Sequence, residues 1–314
     1  MKKFIFEIIF YFLLPLTVIA VVAEYSLRSV PNDYAYKNDW LEENAQAVNI
    51  LCLGPSTVFY DINPVYLDKV GFNAAHVSQS IKYDHFIFNK FYEQMDSLQY
   101  VIIGIDPWTP HGTMEDNDEW WRVKYYSIHY GCDYHKGERR YNYELHIHNL
   151  RVFKEAFRGF LTLIGLKNES HITVNSLGYG TNYTLKERAP NWNDGKPEAL
   201  SHNELIKESL KLNEIVNNRA YITDIINKCR EINVELILIC PPLHNSYFDN
   251  LDKEYVKDRI DFCNSFVRQY ENVSFYDFSN DKRFSDDDFY DFNHLNEIGA
   301  KKFTMIIDSI TNRT

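Results

Sequence analysis

The sequence predicts an α/β fold: a three-layer α/β/α sandwich around a parallel five-stranded sheet, preceded by one N-terminal transmembrane helix. Three observations point to it. Five short apolar runs of strand length recur along the chain, and amphipathic stretches separate them. Strands alternating with helices favour a parallel sheet covered on both faces. The 314 residues, 45% of them hydrophobic, suffice for one large domain of this kind with an insertion.

The transmembrane element comes first. After Lys2 and Lys3 the chain reads FIFEIIFYFLLPLTVIAVVA, residues 4–23. Twenty mostly apolar residues at about 1.5 Å rise span a hydrocarbon core of roughly 30 Å. The basic pair favours a cytoplasmic N-terminus and an exported remainder. Glu7 lies near the end of the span and can snorkel; Pro15 weakens it. A signal peptide cut after Ala23 is the alternative. The helix-like AEYSLRS that follows favours an uncleaved anchor over residues 1–28. Residues 29–46, with PNDYAYKNDWLEENAQ, read as a polar, turn-rich stalk, and 47–314 as the α/β domain.

Within that domain VNILCLG (48–54) is a continuous apolar run stopped by Gly-Pro, as expected of a strand buried on both faces. VGFNAA (70–75) reads as a short second strand. Residues 80–98 have helical spacing, with Ile81, His85 and Phe88 on one face. QYVIIGIDPW (99–108) is a third strand, VELILICPP (234–242) a fourth and VSFYDFS (273–279) a fifth. Helices are expected at 202–232, 251–270 and 297–311. Residues 109–200 have no clean period apart from a helical stretch at 144–166. They are expected as an insertion on the carboxyl side of the strands, where ligands of open α/β sheets bind.

Composition excludes several functions. The net charge is −11 and no Lys/Arg cluster occurs, which argues against nucleic acid. Cys52, Cys132, Cys229, Cys240 and Cys263 have no CxxC spacing and read as buried thiols. His146 and His148 would point apart on a helix, and SDDDFYD reads as a solvated turn, so neither a metal nor another cofactor is expected. Gly178 and Gly180 lack the strand-to-helix context of a phosphate loop.

Two stretches carry chemistry. In GPST, Ser56 stands where the chain leaves the first strand. There it is either the N-cap of a following helix or an exposed nucleophile. A serine nucleophile needs a base, and the base needs a group that fixes its tautomer. DFNHLN offers both, with Asp291 three residues before His294 and the last helix just beyond. In the insertion, Trp108, Trp120 and Trp121 belong to an aromatic cluster that could stack on sugar rings, or could form a small satellite core.

The Gly54-Pro55-Ser56 block after the first strand and the Asp291-to-His294 block before the last helix resemble the SGNH (GDSL-like) hydrolase superfamily. The chain is also similar to its membrane-anchored, Bacteroidetes-type bacterial members in RSVPNDYAYK, GPSTVFYDINP, FNAAHVSQSIKYDHF and DFNHLN. The resemblance covers roughly 47–108 and 232–312. It implies a flavodoxin-like sheet, with Ser56 as nucleophile, His294 as base and Asp291 as its orienter. It further implies ester hydrolysis or acyl transfer without a metal. The substrate would be acyl, commonly acetyl, groups on surface polysaccharide. The site implied is a bacterial cell membrane, crossed once, with the main domain in the periplasm. Ser78 would supply an oxyanion N–H, with Asn73 a further donor and Gln79 and His76 nearby. The third block departs from the pattern: GIDPW places Asp106 where the family has an Asn donor. A carboxylate there would repel an oxyanion, which leaves a non-catalytic glycan-binding or scaffold protein as the alternative.

Overall fold

The computed structural model describes residues 2–145, 150–188 and 190–312. They divide into two compact units, Met1–Asn38 with Trp121–Ile172, and Asp39–Trp120 with Thr173–Thr314. The stretch expected as one insertion is thus divided between them.

In the first unit a helix, α1, runs from Lys2 to Arg28 and is long and apolar enough to cross a membrane. A membrane anchor and a signal sequence share that property. A π-type turn at Ile9–Leu13 precedes Pro15, whose ring supplies no N–H to the helical ladder. Helix α2, Asp33–Asn44, forms where a turn-rich stalk is expected, and its residues from Asp39 onward belong to the second unit. Its buried positions Tyr34, Asn38 and Leu41 recur at helical spacing. Helix α5, Leu150–Leu163, packs on the last turns of α1. Glu24 of α1 accepts from the backbone N–H groups of Glu144 (3.1 Å) and Leu145 (2.8 Å). His146 and His148 lie outside the described residues.

The second unit is an α/β/α sandwich. Its strands are β1 (Ile50–Leu53), β2 (Gly71–Asn73), β3 (Tyr100–Gly104), β4 (Glu235–Cys240) and β5 (Val273–Asp277). They are parallel and ordered β2-β1-β3-β4-β5. Strand residues alternate between faces. Ile50, Cys52, Ile102 and Ile237 share one cluster with Ala300, Phe303 and Ile307 of the last helix, α9 (Glu297–Thr311). Leu51, Val101 and Leu238 point the other way and are equally buried. Between the strands lie α3 (Ser56–Phe59), α4 (Ile81–Phe91), α6 (Lys196–Ser209), α7 (Ile215–Glu231) and α8 (Lys253–Val267).

The helix expected over 202–232 is therefore two helices. Asn213 sits between them in the left-handed region (φ 57°), which Asn tolerates better than most residues. All five cysteines are buried as thiols. The strand order reverses about β1, so the carboxyl ends of β1 and β3 diverge into the crevice where this architecture places ligands.

Candidate active site

Ser56 leaves β1 at that crevice. Gly54 makes the turn with φ 133°, and a Cβ on it would stand 3.0 Å from the Gly104 nitrogen. Only glycine meets both demands without strain. The N-cap of α3 is Pro55, with no side-chain cap bond, so Ser56 is not a cap. Its hydroxyl points elsewhere: Ser56 Oγ lies 2.8 Å from His294 Nε2.

His294 is held by a local turn. Asp291 Oδ1 accepts from the backbone N–H groups of Asn293 (3.0 Å) and His294 (2.9 Å). Both Asp291 oxygens lie 3.0 Å from His294 Nδ1. With Nδ1–H donating to Asp291, Nε2 is left to accept the Ser56 proton. Burial alone would raise the Asp291 pKa, but the His294 ring and the two backbone N–H groups outweigh it and hold the carboxyl below its usual range. Burial likewise opposes the charge on His294, yet Asp291, with Asp61 and Asp106, outweighs it and raises the ring above an ordinary histidine. Tyr60 and Tyr183 meet the ring edge-on at 5.6 and 5.2 Å, and stack on each other at 3.6 Å.

A cavity of about 120 Å³ opens beside Ser56, and Ser78, Asp106, Trp108, Leu205 and Ile206 help line it. Ser78 adopts φ 59°, and neither its backbone N–H nor that of Ser56 is engaged among the described residues. Both are free to meet an oxyanion. Asn73 is not available as a donor. Its amide nitrogen donates to the carbonyls of Val58 and Ile62, each at 2.8 Å, and its oxygen accepts from the Ala75 N–H at 3.1 Å. Gln79 is held by the buried Asp84 at 2.6 Å. Burial pushes Asp84 up to about 8 despite that bond and one from the Gly54 N–H, so near neutrality this acid braces both loops largely uncharged.

Asp106 Oδ1 accepts from Thr57 Oγ1 at 2.9 Å. Trp108 donates its indole N–H to Ser209 Oγ at 3.2 Å and stays in the cavity wall. Trp120 and Trp121 do not line this cavity. Trp121 belongs to the first unit, where the Arg122 guanidinium lies 4.4 Å over its ring. Sequence reasoning missed Thr57, Asp61 and Tyr183. Asp61 accepts from the Leu295 N–H at 2.8 Å and so fixes the loop carrying His294. Its one local signal was its place in GPSTVFYD.

A second cavity, of about 240 Å³, includes His244. Ser246 and Asp286 occupy the two ring nitrogens at 2.8 and 3.2 Å, and Ser246 Oγ also accepts from the Gly195 N–H at 3.0 Å. His244 Nδ1 also accepts from the Ser246 backbone N–H at 3.2 Å and so caps the short helix Asn245–Phe248, which makes this trio a local brace. Among the described residues no group of three or more His, Cys, Asp or Glu could hold a metal ion.

Comparison with known proteins adds little. A family model of unknown function matches residues 195–313, under half of the chain. No curated protein matches significantly. Among solved structures, a Streptococcus pneumonia protein provisionally described as a platelet activating factor matches with a TM-score of 0.41 and 10% identity, over 94% of this chain and 99% of that one. Similarity at that level carries no argument about function.

Proposed function

We propose that the chain is a membrane-anchored, extracytoplasmic ester hydrolase or O-acyltransferase of the SGNH type, acting on acyl groups of surface polysaccharide. The observation that carries this reading is the unbroken chain from Ser56 Oγ through His294 to Asp291. In the reaction Ser56 Oγ attacks the acyl carbonyl while its proton passes to His294 Nε2. The N–H groups of Ser56 and Ser78 meet the oxygen that gains charge. The C–O bond to the leaving sugar hydroxyl then breaks, and that oxygen takes the proton from His294. Water, or a second sugar hydroxyl, attacks the acyl-serine by the same steps and frees Ser56. The small cavity with its apolar wall at Leu205 and Ile206 suits a short acyl group such as acetyl. The apolar α1, with Lys2 and Lys3 before its core, suits a single-pass anchor with the domain outside the cytoplasm.

Asp106 in the oxyanion region favours a second reading, a protein that binds acetylated glycan without turning it over. Acetate release from a panel of O-acetylated polysaccharides separates the two. The hydrolase reading expects release by the wild type and none by Ser56→Ala. Glycan binding by both, with release by neither, would favour the binding protein.

A further inference from the structure

Helix α5 has three flanks, set by about 100° of rotation per residue. Val152, Ala156 and Gly159 form the first and are buried. Gly159 presses on α1: a Cβ there would stand 2.5 Å from the Ser26 carbonyl oxygen. Lys154, Glu155 and Arg158 form a polar flank. Between them Phe153, Phe157 and Phe160 make a third flank and are 47%, 60% and 36% exposed, with Ile164 at 49% just past the helix end. Scattered apolar residues on a surface need no explanation, but a continuous aromatic flank does.

We propose that this flank lies in the outer interface of the lipid bilayer, covered by acyl chains, while Lys154, Arg158 and Lys167 face headgroup phosphates. The proposal rests on reading α1 as a membrane anchor. Two observations choose lipid over a protein partner. The helix that carries the flank packs on the last turns of α1, whose apolar stretch is itself uncovered. Its sidedness, phenylalanines beside lysine and arginine, is that of helices lying in a membrane interface.

The test places a nitroxide on the full chain in phosphatidylcholine/phosphatidylglycerol vesicles, in turn at Phe157→Cys, Lys154→Cys and Val18→Cys. The native thiols are buried, and unsubstituted protein gives the labelling blank. Collisions with oxygen, relative to a water-soluble nickel chelate, are expected to be several-fold higher at 157 than at 154, approaching the value at 18. A water-like ratio at 157 with a lipid-like ratio at 18 overturns the proposal alone. A water-like ratio at 18 overturns the anchor reading and the proposal with it. Spin–spin broadening at 157 that vanishes on dilution with unlabelled chain identifies a second copy as the cover, and also overturns it.

Discussion

Replacing His294 by Ala is expected to lower kcat for an acetyl ester by about 10⁴- to 10⁶-fold, with Ser56→Ala costing as much and the double variant little more. The two side chains share one proton across 2.8 Å, so either loss removes the same step. The pH profile follows from the same geometry. His294 acts as base only when neutral, and Asp291 raises its pKa above that of an ordinary histidine. Activity should therefore rise with pH through an inflection above the usual histidine value, and be lost below it. Asp291→Asn removes the charge that raises the ring and the acceptor that fixes its tautomer. Its inflection should move to lower pH while kcat falls by about 10⁴-fold. Steady-state rates over pH, for the three variants and wild type, check both effects.

The largest expected loss of stability lies away from the site. Arg259 of α8 is fully buried, donating to Asp277 at 2.8 Å, to Ser279 at 3.2 Å and to Cys240 Sγ at 2.6 Å. Arg259→Ala deletes the long stem as well as the charge and leaves Asp277 beneath it without its cation. Removing one partner of a buried pair costs about 3–5 kcal/mol. Asp277 keeps 28% exposure, so water softens its loss and the lower end, about 3 kcal/mol, is expected. Arg259→Met refills the stem's volume and should lose less. Urea unfolding of the full chain in micelles, followed by tryptophan fluorescence, measures both. Equal losses for Ala and Met would show that charge, not packing, dominates.

How much of this was legible in the sequence depends on how far each feature is decided by neighbours in the chain. Strands β1, β3 and β4 were readable because a parallel strand buried on both faces is an unbroken apolar run, as ILCL, YVIIG and ELILIC are. Helix α2 was hidden because DYAYKNDWLEEN is rich in polar and turn-forming types. Its signal was the spacing of Tyr34, Asn38 and Leu41, weakened by a buried Lys37 that no pattern of polarity anticipates. Helices α6 and α7 read as one because apolar spacing continues across the break at Asn213.

In the site, Ser56, Asp291 and His294 were legible as local patterns at the ends of elements. Thr57, Asp61 and Tyr183 act on partners at least 49 positions away, at Asp106, Leu295 and His294, and only folding brings them together. Asn73 misled for the converse reason. It is near the site in sequence, but its amide is spent on the carbonyls of Val58 and Ile62, which closes the turn after α3.

The central claim is that Ser56 is an activated nucleophile. The most direct measurement treats the full chain in micelles with a fluorophosphonate and maps the adduct by peptide mass. The account predicts one modified residue, Ser56, with no adduct there after heat unfolding and capture slowed by orders of magnitude in His294→Ala. An unmodified Ser56 in the folded protein, or capture at the same rate without His294, would contradict it.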